Sequence, residues 1–207
     1  MRYAQQTVTP PAVEPVGVAE MKLFMRVEDD FEGEDELIAS LIATARAAAE
    51  NYTGRAFITQ TVRLSLDGIR PLGDWEPGYY QLPVDYFDAA LPSSVPLPRQ
   101  PIQSIVAVTT YDASNVATVY SPSLYTLIGS ALTLNRGSYW PSGLRTTAPG
   151  VIDYLAGYGE APESVPAPIR TAIKMHVAAM YEERGQCSDD VPAKCQQLLR
   201  QYKIDRL

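Results

Sequence analysis

The feature that most constrains this chain is a change of hydrophobic period at Thr53-Gly54-Arg55. Before it, apolar residues recur every three to four positions, as on one face of a helix. After it they recur every two, as on one face of a strand. Gly54 stands where a helix C-cap needs a residue in the left-handed region, which glycine enters without steric cost. Tyr52, Gly54 and Arg55 therefore read as a structural corner joining helix to strand.

The helix before the corner is expected from about Glu34 to Tyr52. Leu37, Leu41, Ala45, Ala48 and Tyr52 form its stripe, widened by Ile38 and Ile42. Glu34, Asp35 and Glu36 occupy its first turn, where carboxylates favour the positive end of the helix dipole. After the corner, Ile58, Val62, Leu64 and Leu66 face one side of a strand, with a slip expected near Gln60. Thr59, Thr61, Arg63 and Ser65 face the other. The role of Arg55 stays open between pairing with the acidic helix start, capping carbonyls and bridging subunits.

Around these two elements the chain falls into three parts. Residues 1–17 read as an extended arm, with Pro10, Pro11 and Pro15 opposing a helix. Residues 18–54 and 166–207 read as one helical domain. Val18 to Val27 starts it; a helix opening near Pro168 carries Ile169, Ile173, Val177, Met180 and Tyr181; a last helix runs from Pro192 to about Ile204. Residues 55–165 read as a β-rich insertion. Its strands are Ile102 to Tyr111, Val116 to Tyr120, Tyr125 to Ile128, Ala131 to Leu134 and Val151 to Tyr158. Frequent turns separate them, as at Asp112-Ala113-Ser114-Asn115. The expected fold is α+β: a small bundle of N- and C-terminal helices with an inserted antiparallel β-sandwich or barrel-like block.

The 207 residues suit one domain of ordinary size, or a small one with an insertion. No apolar run approaches the ~18 residues of a membrane span. Met1 to Pro15 lacks the apolar stretch of a signal peptide, so a soluble protein made in the cytosol is expected, with no membrane partner. The formal charge is −7, and the segment from Glu28 to Glu36 holds seven acids and no base. The acidity is thus local, and it argues against tight, sequence-independent DNA binding, which needs clustered Lys and Arg.

Catalytic and metal patterns do not emerge. An EF-hand template started at Glu28 places Ala39 where the bidentate glutamate must stand, so no calcium site is expected. Cys187 and Cys195 with the single His176 supply too few zinc ligands, and read as structural thiols and a partly buried histidine. A Gly-x-Ser-x-Gly elbow, a phosphate loop and a dinucleotide fingerprint are missing. Asp153 and Glu160 could serve as a carboxylate pair, but nothing in the spacing selects them. No catalytic, cofactor-binding or metal residue is assigned, and the residues alone point to an interaction or structural protein. The aromatics Trp75, Tyr79, Tyr80 and Tyr86 in the long 68–98 loop, and Tyr139-Trp140 in a second, read as loop packing, as a protein-docking surface, or as a sugar-binding surface.

Several segments, in order, carry a resemblance. They are Tyr52-Thr53-Gly54-Arg55 followed by Ile58-Thr59-Gln60-Thr61; the run from Leu97 to Ile105; Tyr111-Asp112-Ala113; the run from Tyr154 to Gly159; that from Val165 to Arg170; and Tyr181-Glu182-Glu183-Arg184. Together they resemble the head-to-tail connector, or adaptor, proteins of tailed phages and gene transfer agents. The resemblance implies a structural virion protein without catalytic residues or cofactors. It implies a homo-oligomeric ring, commonly of about twelve subunits, in the virion neck beneath the portal protein. Such a ring extends the DNA channel, lets double-stranded DNA pass without specific binding, and docks the next neck or tail protein. The C-terminal segment is then the expected portal contact, through Leu198, Leu199, Tyr202, Ile204 and Leu207, extended or disordered until the portal binds. Trp75, Tyr79, Tyr80 and Tyr86 are the candidate neck or tail docking residues. The protein would be made in a bacterial host cytoplasm. The competing readings are a tail-associated cell-wall hydrolase and a carbohydrate-binding β-sandwich module. Cell-wall clearing would favour the first and glycan binding the second, though a sugar module leaves the bracketing helices unexplained.

Overall fold

The computed structural model describes residues 3–27, 32–66, 91, 93–182 and 191–204. Two compact units emerge. The helical unit comprises Pro10–Gln60, Pro98–Pro101 and Ala156–Leu207. The β unit comprises Met1–Thr9, Thr61–Leu97 and Ile102–Leu155. The α+β class expected from the sequence is what the chain adopts.

The helical unit packs α1 (Val18–Met25), α2 (Asp35–Thr53), α3 (Ala167–Glu182) and α4 (Ala193–Leu199). α2 touches both α1 and α3, and α3 also receives α4. The buried line of α2 is Ile38, Ile42, Ala45, Ala49 and Thr53, one position round from the expected stripe, and Leu37 is 41% exposed. The alanines at 43, 45, 47, 48 and 49 are compatible with several phases, so the neighbours on either side choose the phase. Ile38, Ile42, Ile169, Ile173, Val177 and Leu199 meet in the core at 1% exposure or less. Each isoleucine or leucine so buried gains about 1.5–3 kcal/mol over an exposed one. His176 lies on the buried face of α3, more deeply than the partly buried position expected. The last helix is shorter than expected. α4 ends at Leu199 and a 3-10 turn follows over Arg200–Tyr202.

The β unit holds β1 (Tyr3–Thr9), β2 (Gln60–Leu66), β3 (Ser94–Pro96), β4 (Ile102–Tyr111), β5 (Ala117–Val119), β6 (Tyr125–Ile128), β7 (Ala131–Leu134) and β8 (Gly150–Ala156). One sheet runs β1-β2-β8-β4-β5 and the other β3-β7-β6. In β2 and β8 the even-numbered residues are buried without interruption, as a half-buried sheet requires. Val62, Leu64, Leu66, Ile152 and Tyr154 are fully buried. The turn after β4 forms as its residues dictate, with Asp112 Oδ1 accepting the Ser114 and Val116 N–H groups at 2.8 and 2.9 Å.

Three expectations need correction. Residues 3–9 are extended, as expected, but do not stand apart as an arm: they form β1, antiparallel to β2, with Tyr3 opposite Leu66 and Thr7 opposite Val62. Pro10 and Pro11 only end the strand. The β-rich segment is also not closed off at 55 and 165. Residues 55–60, 98–101 and 156–165 cluster with the helices. The expected slip at Gln60 does not occur either. Ile58, Gln60, Val62, Leu64 and Leu66 are buried in one unbroken alternation, with the glutamine kept inside.

Candidate functional site

Hydrogen bonds from several segments of the helical unit converge on the corner. Gly54 closes α2 at φ 72°, donating its N–H to the Glu50 carbonyl at 2.9 Å. Thr53 turns its hydroxyl back onto the Ala49 carbonyl at 2.8 Å, and its oxygen receives the Arg55 N–H at 3.3 Å. From there the backbone is held by two other segments. Ala56 N–H donates to the Gln100 carbonyl, Tyr158 N–H to the Phe57 carbonyl, and Thr59 N–H to the Gly159 carbonyl, all within 3.0 Å. Gly157 sits at φ 139°, and a Cβ there would lie 2.6 Å from the backbone of Ile58 and Thr59. Only glycine fits that approach.

A buried carboxylate organises the inside of this corner. Glu50 is 4% exposed. Its Oε1 accepts the Phe57 N–H at 2.8 Å and the Gln60 Nε2 at 2.9 Å. Its Oε2 accepts Arg46 Nη1 at 2.9 Å, and Arg46 Nε reaches Glu14 Oε2 at 2.7 Å. Burial pushes the Glu50 carboxyl above the ordinary glutamate range, against the opposing pull of the Phe57 N–H, Arg46, Arg99 and Gln60. Burial also works against the charge on Arg46, but Glu14 and Glu50 outweigh it and hold the guanidinium above its usual value. One carboxylate thus ties α2, the turn after it and the start of β2 together. The network was missed in the sequence. Its signal was two polar residues, Glu50 and Gln60, standing in the apolar phase of a helix and a strand.

The C-terminal segment is seated on this corner. Ile204 N–H donates to the Thr53 carbonyl at 2.9 Å, and Arg55 Nε donates to the Tyr202 carbonyl at 2.5 Å. Lys203 Nζ stands 5.0 Å from the centroid of the Tyr52 ring, in cation–π range. Ile204 Cβ lies 3.7 Å from where a Cβ on Gly54 would be. Of the three roles open to Arg55, capping a carbonyl is the one observed within this chain.

The expected portal residues therefore divide. Leu199 is fully buried in the core; Leu198 and Tyr202 pack partly against it; Ile204 is half-buried at the corner. Up to Ile204 the segment lies against the corner through the two hydrogen bonds of Ile204 and Arg55 rather than extending away from the subunit. The corner carbonyl of Thr53 and the side chain of Arg55 supply the seat. Leu207, and the docking candidates Trp75, Tyr79, Tyr80 and Tyr86, lie outside the described residues. In the second aromatic loop Trp140 packs on Tyr120 with centroids 4.9 Å apart, while Tyr139 is 81% exposed.

The acidic helix start is paired. Lys22 Nζ lies 2.6 Å from Asp35 Oδ1, and Glu34 accepts the Tyr181 hydroxyl. Asp153 is held by Arg63 through two hydrogen bonds of 2.8 Å, and so is a cross-strand partner on β8. The thiol of Cys195 is buried, which pushes it up from its ordinary value and leaves it a poor nucleophile.

The fold recurs in solved structures of a gene transfer agent (GTA) particle. A chain in the virion of the native particle superposes with a TM-score of 0.72 at 22% identity, covering 98% of this chain and 96% of that one. A chain in the neck of the empty particle, computed with C6 symmetry, gives 0.72 at 23% identity over 100% and 97%. One in the neck of the native particle, computed with C12 symmetry, gives 0.66 at 22% over 100% and 97%. At these identities the likeness is one of fold. No curated protein matches the chain. The sequence itself matches the model of the phage gp6-like head-tail connector proteins over residues 16–119, half of its length and spanning the corner. This chain belongs to the phage gp6-like head-tail connector family.

Proposed function

We propose that this connector assembles as a homo-oligomeric ring in the neck of a phage or gene transfer agent particle, directly beneath the portal. There it extends the DNA channel and docks the next neck or tail protein. The family match across the corner supports this reading most. The shared fold with chains from GTA necks, computed with C6 and C12 symmetry, supports a ring, of twelve copies on the C12 precedent.

The parts divide the work as follows. The corner presents the seated C-terminal segment, and Leu198, Tyr202 and Ile204 offer the portal their half-exposed surfaces, with Leu207 a further candidate contact. Leu199 acts from inside, by fixing α4. Trp75, Tyr79, Tyr80 and Tyr86 are the candidate residues for docking the next neck or tail protein. With a formal charge of −7, the subunit lacks the excess of Lys and Arg that would hold passing DNA by counterion release. The protein works by shape and contact, without catalysis.

Cryo-electron microscopy of particle necks containing the protein tests the proposal. A closed ring of this fold in contact with the portal is the expected result. Location at the tail tip, or copies bound singly, would overturn it.

A further inference from the structure

We infer that the five-stranded sheet continues from subunit to subunit, the outer edge of β1 in one copy pairing with the outer edge of β5 in the next. The inference rests on the ring reading and deepens it by naming the contact.

The sheet order places β1 and β5 at opposite ends. Among the described residues each has one strand neighbour, β2 and β4 respectively. An edge strand exposes a row of backbone donors and acceptors, and proteins that avoid pairing there place charges or proline on it. Here the pattern is inverted. β1 and β5 carry no charged residue, and neither do 115, 116, 120 and 121, which flank β5. The charges of the sheet lie inside it, as the Arg63–Asp153 pair of β2 and β8. Both ends also show apolar side chains: Val8 at 45% exposure and Tyr3 at 43% on β1, Val119 at 69% on β5 and Val116 at 57% beside it. The one irregularity of β1, between Thr7 and Thr9, falls at its end.

A second copy of this chain is the occupant because each copy supplies both halves. Two unlike edges at opposite ends of one sheet make a head-to-tail contact, and a head-to-tail contact repeated by rotation closes a ring. Pairing of like edges would instead stop at a two-fold dimer.

Cysteine cross-linking tests this with a built-in control. Within one chain, β1 and β5 are four strand spacings apart, roughly 19 Å. A disulfide needs Cα atoms within about 7 Å, so a bond between the two edges can form only between copies. In a Cys187→Ser background, Thr118→Cys is combined in turn with Ala4→Cys, Gln6→Cys and Val8→Cys, which together span the register. Assembled protein is then mildly oxidised. At least one pair is expected to give a ladder of covalent oligomers on a non-reducing gel, with each variant carrying only one introduced cysteine beside the buried Cys195 staying at one chain length. A second variant, Gln6→Lys with Thr118→Lys, is expected to fold with unchanged helical signal and to lower the assembled fraction at least tenfold. Closed rings by electron microscopy with no ladder from any pair would overturn the edge contact and leave the ring reading standing. So would undiminished rings from the double lysine variant. Cross-linking that stops at dimers would overturn the head-to-tail arrangement. If the wild-type protein forms no ring, alone or in particle necks, the ring reading fails and this inference with it.

Discussion

Glu50 offers the sharpest test of how the corner is held. In Glu50→Ala, the Phe57 N–H and the Gln60 amide lose their acceptor, and both residues are buried. A buried donor left without a partner costs about 1–3 kcal/mol, so the pair costs about 2–6 kcal/mol before any cavity is counted. Total stability of a domain is about 5–15 kcal/mol, so this variant should sit near the edge of folding. Glu50→Gln is different. Its carbonyl oxygen can replace Oε1 for both donors, and only the Arg46 bond is lost, while Arg46 keeps Glu14 at 2.7 Å. The loss is then one charge-assisted bond, about 1.5–3 kcal/mol at most. Urea unfolding followed by helical ellipticity at 222 nm measures both.

The pH dependence separates charge from shape. The folded carboxyl of Glu50 lies above the ordinary glutamate value because of burial. Between the ordinary and the raised value the folded state holds a proton that the unfolded state has released. Stability from this group is therefore fully present below the ordinary value and falls as pH rises to the raised one. Glu50→Gln lacks that slope, so its deficit relative to wild type should shrink as pH rises through this window. A glutamine variant as unstable as the alanine one, or an alanine variant within 1 kcal/mol of wild type, would refute the assignment of Glu50 as the acceptor that closes the corner.

Three further outcomes are expected. Gly157→Ala places a Cβ 2.6 Å from the backbone of Ile58 and Thr59 at φ 139°, and no rotamer relieves that contact; a loss beyond the usual ~0.5–3 kcal/mol, read as insoluble or unfolded protein in a thermal melt, is expected. Leu199→Ala removes a fully buried side chain and should cost about 2–5 kcal/mol, whereas Leu198→Ala, half-buried, should cost less in the same urea titration and weaken portal binding in a pull-down. Truncation after Ile204 should leave the melting temperature within about 2 °C of wild type, and truncation after Leu199, which removes the Tyr202 and Ile204 contacts, should lower it by roughly 4 °C or more.

The sequence made the helices and the corner legible because each rests on a local rule. Gly54 marks the cap, Pro168 the first turn of α3, and the 3.6-residue spacing of Ile169, Ile173 and Val177 the buried face. What it hid depends on partners distant in the chain. Residues 3–9 hold only three β-branched residues and become a strand because β2 offers them an edge. Gln60 looks like a break in alternation until Glu50, ten residues earlier, supplies the reason to bury it. The C-terminal segment looks like surplus apolar surface until the Thr53 carbonyl and the Arg55 side chain provide its seat. The proposed portal surface was legible only in part for the same reason. Apolar character near a chain end marks Leu198, Leu199, Tyr202 and Ile204 equally, and packing alone separates the buried Leu199 from the rest.

That seat changes how a partner would use the C-terminus. A loose tail would lose conformational freedom on binding, about 1–2 kcal/mol of backbone entropy per residue ordered. In this subunit that cost up to Ile204 is already met during folding, because the last turn is fixed to the corner by Ile204 N–H, Arg55 and Lys203. A portal that binds the segment where it lies meets a pre-organised surface and keeps more of its contact energy as affinity. A portal that pulls the segment away must first break two hydrogen bonds, about 0.5–1.5 kcal/mol for the Ile204 N–H and about 1.5–3 kcal/mol for the charged Arg55, and uncover Ile204 and Gly54. The first route is the cheaper, so under the proposed function the corner is expected to form part of the docking surface rather than merely the support beneath it.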